Sequence, residues 1–437
     1  MAKKKKTEFY KRVDRIEVFI WGNFVGAVAL DPKLGFYVFA YDPKFGKSGP
    51  QLSPLHMPLN DMEQSYVFTD LPELTYKRLP ALLADTLPDD FGNALIDRYM
   101  AEKGIPKSQI TALDRLAYMG KRSMGALEFK PARGPKTQKP TALELGSLVM
   151  EARKAVRGTL EDDDGAKAAL RSIIDVGTSA GGARAKAVIA WNAKTQEMRS
   201  GQVDAPVGFE HWLLKFDGMG KDRELGSSQE YGRIEYAYSL MAKKAGIQMS
   251  ECRLFEENGR AHFMTKRFDR ENGHIKHHIQ TLCAMNHIDY KKKSTNSYEQ
   301  LFMTMIQLGL HHEALVEVFR RMVFNIMGRN CDDHSKNFSF LLREGGAWEL
   351  APAYDVSFAH NPTGEWTSQH LMSIHGKYKD FSTDDLQELA DRFGIGEASS
   401  VIERGRGAIK AWPSFAQKAG VTKKETERIR RLHLMFK

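Results

Sequence analysis

Cysteine is scarce. Cys252, Cys283 and Cys331 are the only three, and no C-x-x-C pair occurs, which excludes a disulfide framework and a thiolate zinc site and fits a reducing compartment. No run approaches the ~18 apolar residues needed to cross a bilayer, so a membrane-spanning protein is excluded, and no membrane partner is expected. The start, Met1-Ala2-Lys3-Lys4-Lys5-Lys6, leads into Thr7-Glu8-Phe9-Tyr10-Lys11-Arg12 without the apolar core of a secretory signal, and the expected location is cytoplasmic. Internal repeats are absent. His274, His277, His278 and His287 have no acid or thiolate at a zinc-like spacing and read as non-ligands. What remains, with 42% hydrophobic and 27% charged residues over 437 positions, is a soluble globular chain of about two or three domains.

Charge is the first positive signal. Against 55 acidic residues stand 64 Lys and Arg, a net +9 that favours polyanionic company such as nucleotide or nucleic acid. Part of it sits in Lys3 to Lys6 and Lys423 to Arg431, which read as a solvated tail and a solvated helix face.

The pattern predicts an α+β fold. Residues 16–30 form two strands about a Gly22-Asn23 turn, Gly35 to Tyr41 a third, and the simplest topology is a meander. Helical spacing follows from Leu79 to Met100 and from Leu113 to Met119, then strand again at Met124 to Phe129. The proline-rich, basic stretch Lys130 to Pro140 is the linker candidate. This gives an amino-terminal subdomain over 1–135, a sheet-rich region over 136–270 and a mostly helical region over 271–437. Beyond the linker come a helix near 143–156, strands at Ala187–Trp191 and His211–Phe216, and a helix from Ser227-Ser228 to Ala245. Further helices are expected at Tyr298–Leu308, at Glu313–Met327 and from the cap Ser382. Met303, Met305, Met322 and Met327 read as core.

The segment Arg329 to Asp355 carries the chemistry. Phe338–Leu342 and Trp348–Ala351 read as strands joined by a Gly345-Gly346 turn, so Asn337 before the first and Asp355 after the second can converge across a hairpin. One amide and one carboxylate, with water or phosphate, is how magnesium is usually held. Asp332 precedes Asn337 at the D-x-x-x-x-N spacing of kinase catalytic loops, where the Asp takes the substrate hydroxyl proton. A polar turn with Asp355 as a helix cap would give the same letters. Upstream, Gly177-Thr178-Ser179-Ala180-Gly181-Gly182-Ala183-Arg184-Ala185-Lys186 is small enough to cradle phosphates through its N–H groups, or is a plain hairpin loop. Lys215 ends an apolar strand where it can meet phosphates. Glu235, beside the apolar face of the 227–245 helix, is either the acid that orients Lys215 or a solvent-exposed glutamate.

In this order the loop, the strand lysine, Lys266-Arg267-Phe268-Asp269-Arg270, the Asp332 to Asn337 loop and Ala351-Pro352-Ala353-Tyr354-Asp355 resemble the HipA family of serine/threonine kinase toxins. Tyr41-Asp42-Pro43, Leu52-Ser53-Pro54 and Leu87-Pro88-Asp89-Asp90-Phe91-Gly92 resemble the domain that precedes the kinase core in that family. The resemblance implies a bilobal kinase-like fold and ATP- and Mg2+-dependent phosphorylation of a protein serine or threonine. It implies Asp332 as base, Asn337 and Asp355 as metal ligands, and Ala180 to Lys186 with Lys215 on the phosphates. His334 and Tyr354 would line the nucleotide site, and Lys266, Arg267 and Phe268 would form the adenine-side connection. Ser179 matches an autophosphorylated serine that silences the enzyme.

The implied partners are a HipB-like helix-turn-helix antitoxin, operator DNA through it, and a protein target such as an aminoacyl-tRNA synthetase, glutamyl-tRNA synthetase in particular. Two departures stand out. Arg184 and Ala185 replace an expected Gln-Glu, and Lys266 replaces a frequent Glu. The competing readings are a small-molecule phosphotransferase of the aminoglycoside type, which leaves the amino-terminal unit without a reason, and a non-catalytic corepressor that only binds ATP, antitoxin and DNA.

Overall fold

The computed structural model describes residues 10–59, 65–88, 90–135, 186–217, 230–257 and 259–436. In the amino-terminal unit, strands β1 (Arg15–Ile20), β2 (Asn23–Asp31), β3 (Phe36–Tyr41) and β4 (Ser65–Tyr66) form the expected meander, and β5 (Leu127–Lys130) joins antiparallel to β1. Trp21 (φ 48°) and Gly22 (φ 80°) both take left-handed backbone in the β1–β2 turn, which suits the twist of a two-residue hairpin. The expected single helix over Leu79–Met100 is broken into a turn at Ala81–Ala84 and helix α1 (Asp90–Ala101). Pro88 lacks the N–H that a continuous helix needs, and the Thr86 hydroxyl donates to the Leu83 carbonyl at 2.7 Å instead. Helix α2 (Ala112–Met119) starts at a capping box between Thr111 and Asp114.

A second antiparallel sheet holds β6 (Lys186–Trp191), β7 (Met198–Ser200), β8 (Glu210–Lys215), β9 (Cys252–Glu257) and β10 (Arg260–Lys266) in the order β7-β6-β8-β10-β9. Helix α3 (Tyr231–Lys244) lies hard against it: a Cβ on Gly232 would sit 2.1 Å from the Ala261 carbonyl oxygen, so only glycine permits this approach.

The remaining chain is mostly helical: α4 (Tyr298–Gln307), α5 (His312–Met327), α6 (Thr383–Arg392), α7 (Ala398–Lys410), α8 (Trp412–Lys418) and α9 (Lys423–Leu432). Set among them is a small sheet in which β11 (His278–Thr281) flanks the expected hairpin of β12 (Ser339–Leu342) and β13 (Trp348–Leu350). Met305, Met322 and Met327 are core, whereas Met303 is 44% exposed, because two positions along a helix turn a side chain about 200° away from Met305.

Three apolar cores result, and all are shared between units: that of the helical lobe takes in Ile234, Tyr238 and Met241 of α3. The amino-terminal core takes in Cys283, Ala284 and Leu342 from the helical lobe. Phe91 and Leu95 of α1 complete the core beneath the second sheet. A leucine or phenylalanine contributes about 1.5–3 kcal/mol when fully buried, so Leu342, Phe91 and Leu95 make the amino-terminal unit a structural part of both lobes. Among the described residues no helix is long and apolar enough to cross a membrane. The first expected boundary, 135/136, and the sequence-predicted helix near 143–156 fall at or within undescribed residues.

Candidate active site

The site begins with a register. In the second sheet Lys215 on β8 stands opposite Lys186 on β6 and Phe263 on β10. Lys186 is 2% exposed, so two lysines lie side by side in a dry strand pair. Like charges so placed repel and require nearby carboxylates. Glu235, brought in by the close approach at Gly232, is buried rather than solvent-exposed, and its Oε1 accepts from Lys215 Nζ at 2.5 Å. The same ammonium pairs with Asp355 from the far side of the cleft. Burial alone would raise the Asp355 carboxyl, but Lys215, then Lys186 and His334, outweigh it and hold the group at about 2. Burial likewise disfavours the Lys215 ammonium, and Asp355 and Glu235 more than restore it, holding it above the usual lysine value. Asp355 takes left-handed backbone (φ 55°), which a short polar side chain tolerates best.

The loop before β12 runs with alternating exposure. Cys331, Asp333 and Ser335 are buried, while the Asp332 side chain is 50% and that of His334 17% exposed. Asn337 Nδ2 donates to the Asp332 carbonyl at 2.7 Å, closing the turn, so that Oδ1 is the atom with which it would hold a cation. The two chemistry-bearing segments are pinned together by Tyr354, whose hydroxyl donates to the Lys336 carbonyl at 2.6 Å and touches the Ser339 hydroxyl. Tyr354 also faces Phe268, ring centroids 5.9 Å apart, and His334 faces Tyr290 at 5.3 Å. Asp332, His334, Asn337, Tyr354, Asp355, Lys215, Lys186, Glu235 and Phe268 therefore belong to one neighbourhood.

Two predicted nucleotide contacts point elsewhere. Lys266 Nζ pairs with Glu210 on the sheet surface. The Arg267 guanidinium grips Asp269 through two bonds of 2.8 and 2.6 Å, buried behind the connection. Their backbone N–H groups donate to the Glu251 and His211 carbonyls. Ser179 and Ala180, Gly181, Gly182, Ala183, Arg184 and Ala185 lie outside the described residues.

Sequence reasoning missed Asp269, on which Arg267, Arg270 and the Gly125 N–H (2.8 Å) converge. Burial would raise its carboxyl, but the two guanidiniums hold it far below the carboxylate range. It also missed Asp333, whose carboxylate accepts from the Tyr298 hydroxyl (2.8 Å), His370 Nδ1 (2.9 Å) and the Leu371 N–H (2.8 Å). The alternation of exposure from Cys331 to Ser335, which turns the second aspartate inward, is a property of the fold that the run of polar letters does not announce.

Comparison with known proteins shows what the chain as a whole is similar to. Among curated proteins the chain is 27% identical over 201 residues to a Haemophilus influenzae protein named "Putative kinase", covering 39% of this chain and 58% of that one. It is 26% identical over 208 residues to "Putative kinase Y4dM" of Sinorhizobium fredii, covering 42% and 50%. The chain thus spans little more than half the length of these relatives. Among solved structures, that of the Shewanella oneidensis MR-1 toxin–antitoxin system HipA, HipB and its operator DNA matches 95% of this chain and 94% of its own, with TM-score 0.67 and 17% identity, which shows a shared fold. The family model for the HipA N-terminal domain matches residues 16–130 and that for the HipA-like C-terminal domain residues 178–428. With these two matches together spanning most of its length, the chain belongs to the HipA family.

Proposed function

We propose that the chain is an ATP- and magnesium-dependent serine/threonine protein kinase acting as the toxin of a toxin–antitoxin module in the cytoplasm. The observation that carries the reading is the junction of Lys215, Glu235 and Asp355, pinned through Tyr354 to the loop that presents Asp332. Phosphoryl transfer asks for positioning and charge compensation more than for covalent chemistry, and these groups supply both. Lys186 and Lys215 offer two cations to phosphate oxygens, and Glu235 keeps Lys215 in place. Asp332, half exposed, accepts the proton of the attacking hydroxyl. Phe268 and Tyr354 flank the base side, with His334 below.

The donor set fits magnesium. It comprises one carboxylate held ionised and one amide oxygen, the usual protein share for a hard cation that keeps water and phosphate ligands. When bound, the ion neutralises charge developing on the transferred group. We further assign Ala180 to Ala185 to the phosphate cradle and Ser179 to an autophosphorylation switch. The Shewanella relative was solved with HipB and operator DNA, which supports a helix-turn-helix antitoxin and operator DNA as partners here. The target is assigned to the translation machinery, an aminoacyl-tRNA synthetase such as glutamyl-tRNA synthetase.

The test is purified protein with magnesium and γ-labelled ATP, wild type beside Asp332→Gln, followed by phosphopeptide mapping. Label on the Ser179 peptide in wild type alone is expected. Wild type that binds ATP and carries no phosphate by intact mass, yet transfers no label, would overturn the kinase reading in favour of a corepressor.

A further inference from the structure

The loop contains two adjacent aspartates, and by composition either can act as the base. Side chains from Cys331 to Ser335 alternate between buried and partly exposed, so a slip of one residue would turn Asp333 outward and bury Asp332. Something must choose between the two registers. We infer that Asp333 is a positioning residue: its carboxylate, held by Tyr298, His370 and Leu371, locks the loop in the register that turns Asp332 and His334 into the cleft.

Three observations carry this. Asp333 is fully buried, and its three donors come from two elements far away in sequence, α4 and the segment around residue 370. Those donors are themselves anchored. Tyr298 accepts from Asn325 Nδ2 (3.2 Å), which lies on α5 and accepts in turn from Asn330 Nδ2 (3.0 Å). The His370 N–H donates to the Tyr378 carbonyl, and Met372–Ser373 pairs in parallel with Asn296–Ser297. The inward positions on either side are fixed too: the Cys331 N–H donates to the Ala359 carbonyl and the Ser335 hydroxyl to the Ile288 carbonyl at 2.6 Å. Burial disfavours the His370 imidazolium, but Cys331 and Asp333 raise it to about 10, so the bond to Asp333 is charge-assisted at neutral pH. A loop so held keeps its base where a displacement of about 1 Å would cost on the order of a hundredfold in rate.

The inference rests on the kinase reading, and one experiment separates the two. Turnover of γ-labelled ATP by the full chain is measured at saturating nucleotide, counting protein-bound and free label together. Affinity for a non-hydrolysable ATP analogue with magnesium is measured in parallel. Asp333→Asn is expected to lower turnover at least 30-fold while the analogue's Kd stays within threefold. Tyr298→Phe, which removes one donor of three, is expected to lower turnover three- to tenfold with the same unchanged Kd, and it decides the matter if Asp333→Asn does not fold. Turnover within twofold of wild type in the folded variants, or a Kd that weakens in step with turnover, would overturn the positioning role. Wild type that binds the analogue and turns over no ATP overturns the kinase reading and this inference with it, and is recognised without any variant.

Discussion

On one side of the cleft, charges are matched against each other: Lys215 with Glu235, beside a buried Lys186, reaching across to Asp355. On the other, Asp332 is left half in solvent while its backbone is held from behind by Asn337 and its neighbour Asp333. The first side organises charge through side chains, the second organises position through backbone and buried anchors. Side-chain pairing suits groups that wait for a polyanion. Backbone anchoring suits the role proposed for Asp332, a base that must stay available to a hydroxyl.

The sharpest way to break this comparison is to disable each side and ask what is lost. Asp332→Gln is expected to reduce phosphoryl transfer by about a thousandfold or more with nucleotide affinity within threefold, whereas Lys215→Met is expected to abolish transfer and to weaken nucleotide binding at least tenfold, both read by labelled-ATP turnover and calorimetry. Equal loss of affinity in both variants would erase the distinction. Next in size is a buried charge cluster outside the cleft: Asp269→Asn leaves two buried guanidiniums without their carboxylate and is expected to cost about 3–5 kcal/mol of stability in denaturant melts.

Acid should act on the inter-unit packing before it reaches the charged wall. The rings of His56 and His287 stack at 3.6 Å between the amino-terminal unit and the helical lobe. Burial first, and His56 second, lower His287 to about 3, while burial lowers His278 to about 3. These groups are neutral when folded and titrate near 6.5 when unfolded, so from about pH 6.5 down towards 3 the unfolded chain binds more protons and stability falls with pH. The thermal midpoint is expected to drop between pH 7 and 5, and His287→Phe to flatten that drop. Asp355, held at about 2, stays ionised throughout this window. The smallest effect belongs to Lys266→Ala: its partly exposed pair with Glu210 (side chains 37% and 44% exposed) contributes at most about 1 kcal/mol, and ATP affinity is expected to change less than twofold.

How much of this was legible in sequence depends on the range of the interaction. The β1–β2 turn, the hairpin of β12 and β13, and the capped helix at Ser382 are local, and periodicity with turn chemistry gave them to within a residue or two. For Glu235 the sequence left two readings open, the acid beside Lys215 and a solvent-exposed glutamate, and the side chain lies buried against Lys215. Pairing of β11 with β12 was not anticipated, because residues 278–281 and 339–342 share no pattern that announces partnership. Asp269 and Asp333 were missed for the same reason. Their partners at Gly125, Tyr298 and His370 are brought near only by the finished fold.

The shared cores bear on when the chain can become a working protein at all. The amino-terminal sheet closes with β5 at Lys130, yet its core waits for Cys283, Ala284 and Leu342, the last of them roughly two hundred residues later. At about 5–20 residues per second of synthesis, that face stays uncovered for on the order of ten to forty seconds on the ribosome. Asp332, Asn337 and Asp355 emerge in the same late stretch. A ribosome that stalls midway therefore releases a fragment that is sticky and carries no complete site. The candidate site is assembled only once Asp355 has been made, which for a protein proposed to act on the translation machinery ties its own making to the health of its target.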